Sequence, residues 1–184
     1  MVNKMNLSNR LARLLAVLIC AVSMFTMADD IDFSELEVSK MDVPNTHFPN
    51  TDSLFQEIQR TVAEVDFVGM AAAYHVDAVL VNAKSTASIS GIMPSWKASG
   101  EKLQSEGSQA SVAFRFTSRQ HDSTSAFDRG IFRYAIKGAG GVEKATFVYF
   151  ENLAVFRDGR WLTLMERQMD TTDVSTWNSL PVSW

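Results

Sequence analysis

The chain has 184 residues, with 17 Lys and Arg against 21 Asp and Glu, a net charge of −4 and a single cysteine. No basic patch offsets that balance, so neither nucleic acid nor an anionic membrane surface is an expected partner. One cysteine allows no internal disulfide, and the fold must rest on its core.

The N-terminus reads as a targeting segment. Lys4, Arg10 and Arg13 form a basic region ahead of an apolar run at 14–25, and Thr26-Met27-Ala28 offers a small-residue cleavage site before Asp29-Asp30. The run is too short for a good membrane span. Residues 1–28 are therefore expected to be a cleaved signal peptide, making the protein exported (periplasmic or secreted) and free of the membrane afterwards. Ile19 stands where a lipid-anchored Cys20 would want a small residue, which weighs against an anchor. The signal holds three of the 17 basic residues and no acidic ones, so the mature chain carries 14 against 21, a net charge of −7. About 156 residues remain, enough for one ordinary core.

Residues 29–50 hold two prolines among Asp, Ser and Asn and read as an extended leader, followed by one domain over 51–184. Ser53 and Gln56 form a capping box ahead of Leu54, Ile58, Val62 and Val65, predicting an amphipathic helix of about 13 residues. Asp66 is placed to cap a second short helix that buries Phe67, Met70, Ala71 and Tyr74. Asp77 opens a strand through Asn82, and residues 85–90 are its hairpin partner. Gly91 to Pro94 punctuate the chain before a short helix at 95–104 carrying Trp96. Strands are predicted at about 110–120, 125–136, 145–157 and 160–170, with an irregular or helical piece around Trp177. Helices first and a long meander second define an α+β class, with helices against one sheet face.

Turn chemistry supplies a register. Asp158-Gly159 suits a two-residue hairpin, which pairs Arg157 with Arg160 and, counting back, Leu153 with Leu164 and Glu151 with Glu166. Closing the glycine-rich 137–144 loop as a hairpin sets Tyr134 opposite Phe147 and Gly130 opposite Glu151, with Arg115 near Gly130 one strand further. A row of Arg115, Gly130, Glu151 and Glu166 then lies on one face together with Tyr134, Tyr149 and Phe147. The other face takes Ile131, Val148, Phe150 and Trp161. Two carboxylates opposite each other in a dry site would raise one pKa and share a proton. Glu151, Glu166 and Arg115 are thus candidate catalytic residues, and Tyr74, Trp96, Tyr134, Tyr149 and Gly130 candidate ligand contacts. The competing reading is a structural Arg–Glu network with one glutamate reaching solvent, and for Tyr74 and Trp96 ordinary core packing.

Other residue types point to no site. His47, His75 and His121 are too widely separated for a zinc cluster, so no metal is expected. Neither a phosphate-cradling loop nor a nucleophile elbow is present, and no cofactor is implied. Asp77 reads as a structural residue, and Arg129 and Arg133 fall on the opposite face from the row.

The run Phe67-Val68-Gly69-Met70-Ala71-Ala72-Ala73-Tyr74-His75-Val76-Asp77-Ala78-Val79, the Gly91 turn before a helix, and the closing Asp158-Gly159-Arg160-Trp161 resemble the SnoaL-like, ketosteroid-isomerase-like branch of the nuclear transport factor two-like superfamily. The resemblance spans roughly residues 50–170. It implies a cone-shaped fold, in which a strongly bent antiparallel sheet wraps helices around an internal pocket, and a homodimer through the outer sheet face. Members include isomerases, cyclases, dehydratases and binding proteins, so fold alone leaves function open. The isomerase base falls at Asn82 and the oxyanion donor near Ile58, and neither side chain can do that chemistry. Three readings follow: a binder of a small, partly apolar molecule; a cofactor-independent enzyme using the glutamates as acid and base; and a dimeric interaction module.

Overall fold

The computed structural model describes residues 50–182; the signal segment and nearly all of the leader expected from the sequence lie outside the described residues. The elements run α1 (Asp52–Glu64), α2 (Phe67–Ala72), β1 (Tyr74–Val81), β2 (Thr86–Ser88), α3 (Ile89–Ser105), β3 (Gln109–His121), β4 (Ser125–Lys137), β5 (Glu143–Arg157), β6 (Arg160–Thr172) and α4 (Val174–Ser179). One six-stranded sheet has the order β2-β1-β6-β5-β4-β3. All neighbours are antiparallel except β1 and β6. The α+β class and the wrapping of helices by one sheet are as expected. Among the described residues no helix is long and apolar enough to cross a membrane.

Helix α1 buries Leu54, Phe55, Ile58 and Thr61, the stripe its periodicity dictates. It starts differently from expectation: Thr51, not Ser53, is the N-cap residue, and its side chain makes no cap bond. The Thr51 hydroxyl instead donates to Asp128 Oδ2 at 2.8 Å. Arg119 donates to Asp128 Oδ1 at 2.8 Å, to the Thr51 hydroxyl at 2.6 Å, and to Asp52. Arg119 and Asp128 are cross-strand partners on β3 and β4, and Asp128 is 1% exposed. This satisfied, buried cluster ties the start of α1 to the sheet; a buried carboxylate needs such partners.

The α1–α2 corner turns on Val65, whose φ of 58° is costly for a β-branched residue. Ion pairs hold it on both sides. Arg60 reaches Glu57 and Glu64 within α1 and Asp66 beyond the corner, while Asp66 accepts from the Gly69 amide at 2.9 Å and caps α2 as expected. The corner fixes the angle at which α2 brings Phe67 and Met70 toward the sheet.

Two element boundaries differ from the sequence reading. Strand β1 starts at Tyr74, not Asp77, because β6 captures the chain directly after α2: the Thr163 amide donates to the Ala73 carbonyl at 3.0 Å. Tyr74 is therefore a strand residue, and β1 bulges outward beyond it, leaving Val76 exposed. Helix α3 starts at Ile89 and runs through Gly91 and Pro94. Ser88 caps it by accepting from the Gly91 amide at 3.1 Å. Pro94 removes only the bond to the Ser90 carbonyl, on an exposed stretch open to solvent.

The register is one residue away from expectation at two hairpins. Asp158 and Gly159 adopt positive φ as the turn demands, and Arg157 pairs with Arg160. Farther along, β6 bulges at Leu164, so Leu153 meets Met165, Asn152 meets Glu166 and Glu151 meets Arg167. The glycine-rich loop closes with five residues rather than an even number: the Gly138 amide donates to the Val142 carbonyl and Lys137 pairs with Glu143. Gly130 consequently faces Phe150, Tyr134 faces Thr146, and Arg115 faces Ile131. A one-residue slip exchanges the faces of every side chain. The expected row of Arg115, Gly130, Glu151 and Glu166 does not form.

Gly130 has a different function from the one expected. A Cβ there would stand 2.0 Å from the Arg115 carbonyl oxygen, beside the bulge between Phe116 and Ser118. The sheet bends sharply there because β3 backbone occupies the space of a side chain. Gly130→Ala is expected to cost about 3 kcal/mol or more in chemical denaturation, since backbone rather than a flexible side chain must move.

Candidate functional site

Helices α1, α2 and α3 and one face of β3–β6 line an open-sided cavity of about 480 Å³. Alternation puts Ala110, Val112 and Phe114 of β3, Phe132 and Tyr134 of β4, and Thr146, Val148, Phe150 and Asn152 of β5 on this face. The helices add Phe55, Ile58, Val62, Phe67, Met70 and Trp96. Gly100 of α3 also lines it, where α3 approaches Phe67 so closely that a Cβ would lie 2.8 Å from the ring. Phe55 anchors the wall, with ring centroids 4.8 Å from Phe114 and 4.9 Å from Phe116.

Polar groups gather at one place in this largely apolar cavity. Tyr74, at the start of β1, donates its hydroxyl to Glu166 Oε2 at 2.7 Å. Gln168, two residues along β6 on the same face, donates Nε2 to Glu166 Oε1 at 2.7 Å. Two donors on two oxygens suit an ionised carboxylate. Burial, then the charge of Glu166, then the hydrogen bond itself push the Tyr74 hydroxyl well above its ordinary pKa, so Tyr74 remains a neutral donor. Asn152 is the cross-strand partner of Glu166 and only 2% exposed. Its Oδ1 accepts from the Thr163 hydroxyl at 3.0 Å, while among the described residues its Nδ2 has no hydrogen-bond partner. The lining contains no Lys, Arg or His among the described residues.

Of the residues singled out from the sequence, Glu166, Tyr74, Trp96 and Tyr134 line this cavity together. Tyr74 and Trp96 have ring centroids 6.4 Å apart. Glu151, Arg115 and Tyr149 lie on the opposite face, and Gly130 belongs to the bend. Glu151 sits between Arg129 at 3.1 Å and Arg167 at 3.0 Å, a cross-strand charge ladder on the outer surface. Arg115 donates to the Trp177 and Leu180 carbonyls at 2.8 and 3.2 Å and stacks 4.5 Å from the Trp177 ring, fastening α4 to that face. The facing pair of glutamates is replaced by an Asn–Glu pair.

Asn152 and Gln168 were missed by the sequence reading. The only signal was a polar Glu151-Asn152 step inside an apolar strand, and parity decides which of the two turns inward. The positions aligned with isomerase chemistry are accounted for structurally. Ile58 is a wall residue, and Asn82 Oδ1 accepts from the Lys84 and Ser85 amides at 2.9 and 3.0 Å to close the β1–β2 turn.

Comparison with known proteins agrees with this architecture. No family model matches the sequence, and no curated protein matches it. Solved structures do match in fold. A conserved protein from Planctomyces limnophilus superposes with a TM-score of 0.54 at 9% identity, over 65% of this chain and 93% of that one. An NTF-2 like protein of unknown function from Shewanella oneidensis gives 0.51 at 14% identity, over 64% and 94%. A ketosteroid isomerase-like protein from Erwinia carotovora atroseptica gives 0.50 at 15% identity, over 70% and 98%. The chain has the cone fold of the nuclear transport factor two-like superfamily, as its sequence resemblance implied. At these identities the likeness is one of fold.

The Tyr74–Glu166 contact has a measurable pH signature. Because the folded state holds the Tyr74 proton more tightly than the unfolded chain, its contribution is complete below the ordinary tyrosine pKa of 10.0 and is lost as pH rises beyond it. Urea unfolding of wild type is expected to weaken above pH 10 more steeply than that of Tyr74→Phe, by up to about 1.4 kcal/mol per pH unit. At neutral pH the variant is expected to be less stable by about 1–2 kcal/mol.

Proposed function

We propose that the protein binds a small, largely apolar molecule in the cone cavity, with one polar end against Tyr74, Asn152, Glu166 and Gln168. The observation that carries this reading is a half-buried polar cluster, in which Tyr74 and Gln168 donate to Glu166 and leave its other lone pairs for a ligand donor, set in an otherwise apolar cavity of about 480 Å³. Ligand sites have this composition, with apolar walls for affinity and a few polar groups for orientation. Export and a homodimer remain proposals from the N-terminal sequence and the fold resemblance.

The test is saturable binding of a plain bicyclic hydrocarbon, 2-methylnaphthalene, measured by isothermal titration calorimetry. Binding is expected in wild type and lost in Val112→Trp, which fills the cavity from β3. Absence of binding in wild type, or equal binding by the filled variant, would overturn the reading.

A second reading, a cofactor-independent enzyme, is favoured by one specific observation: a carboxylate held 2.7 Å from a neutral phenol in an apolar site. Glu166 would act as general base and Tyr74 would stabilise the negative charge that develops. Glu151 and Arg115 have no part in it, being on the other face. This reading requires Glu166→Gln to abolish turnover of a bound substrate while leaving its affinity within a few-fold.

A further inference from the structure

Glu166 is the only carboxylate lining the cavity among the described residues, and that lining holds no Lys, Arg or His. Its two donors, the Tyr74 hydroxyl and Gln168 Nε2, stand at 2.7 Å and are both neutral. They fix the carboxylate and occupy one lone pair on each oxygen, but they leave its charge uncancelled. The cations next in sequence to lining residues are committed elsewhere. Arg167 pairs with Glu151 at 3.0 Å on the outer face, Lys97 pairs with Glu101 along α3, and Arg133 pairs with Glu143. A half-buried negative charge thus stands in an open-sided cavity with Phe67, Tyr74, Trp96, Phe132 and Tyr134 among its walls.

Resting on the ligand-binding reading above, we propose that the cavity takes a lipophilic primary or secondary amine, bound as its ammonium form with an N–H donated to Glu166. One ligand group then supplies both things the carboxylate lacks, a further donor and a positive charge. The Tyr74 and Trp96 rings, 6.4 Å apart, belong to the same wall, and aromatic faces attract cations. The open side leaves the ammonium part of its hydration, which lowers the cost of bringing an ion into apolar surroundings. Other polar ends fit less well. An alcohol donates to Glu166 without cancelling its charge, and a quaternary ammonium cancels the charge with no N–H to donate. A carboxylate sets a second negative charge beside the first.

The experiment measures Kd by isothermal titration calorimetry at pH 7.5 for a matched set that shares one apolar body. The set is 2-naphthylmethylamine, its N-trimethylated quaternary analogue, 2-naphthylmethanol, naphthalene-2-carboxylate and 2-methylnaphthalene. The amine is expected to bind about tenfold tighter than the alcohol and the hydrocarbon. The quaternary analogue should bind more weakly than the amine, and the carboxylate weakest of all. Glu166→Gln keeps the shape and is expected to bring the amine to the level of the alcohol, with hydrocarbon affinity retained as the sign of an intact cavity. Glu151→Gln removes the same charge from the outer face and should leave the amine preference unchanged. Equal binding by amine, alcohol and hydrocarbon, or tightest binding by the carboxylate or the quaternary analogue, would overturn the proposal while leaving the ligand-binding reading intact. An amine preference that survives Glu166→Gln, or disappears in Glu151→Gln, would overturn it in the same way. No binding by any of the five would overturn both.

Discussion

The parallel pairing of β1 with β6 governs what the interior can do. Thr163 takes hold of the chain at Ala73, one residue past the end of α2, and the tyrosine that follows is delivered into the cavity as the first residue of a strand. On the other side of the same strand, β6 bulges at Leu164 and turns Glu166 inward. Each event alone would leave a polar group without its partner. Together they set the buried Tyr74 hydroxyl 2.7 Å from a half-buried carboxylate, which makes the burial of the phenol tolerable.

The remaining architecture keeps that cluster in an open cavity rather than a closed core. Gly130 lets β3 and β4 bend where any side chain would meet the Arg115 carbonyl. The Arg119–Asp128–Thr51 cluster fixes the start of α1 against the bent sheet, and the Arg60 ion pairs hold the corner from which α2 projects. Phe55 wedges between Phe114 and Phe116, so the wall is rigid aromatic surface. On the outer face, Arg115 is spent on holding α4, and Glu151 is neutralised by two arginines. The charged groups are thereby divided: structural pairs outside, one carboxylate with neutral donors inside.

That division bears on the three functional readings. Moving Glu151 and Arg115 out of the cavity removes the two-carboxylate chemistry that the sequence alone brought to mind. The carboxylate that stays has a neutral phenol and two amides around it. Such a floor orients a hydrogen-bond donor well, and it supports proton transfer only through Glu166.

The fold class was legible in the sequence because it rests on periodicity and turn chemistry, both local. The α1 stripe, the Asp66 cap, the Asp158-Gly159 hairpin and the four long strands all follow from residues near one another in the chain. Glu166, Tyr74, Trp96 and Tyr134 were recognisable as candidates for the same reason: polar or aromatic groups on strands or helices that must be covered. Which of Glu151 and Asn152 faces inward was not legible, since a five-residue loop and a one-residue bulge change parity without changing any pattern of hydrophobicity. The start of β1 was hidden too, because Ala73 and Tyr74 read as helix until β6 arrives from ninety residues away. By itself the sequence determined the elements and the material of the cavity wall. Only the tertiary structure decided the faces, because strand register is set by hydrogen bonds between segments that local sequence does not bring together.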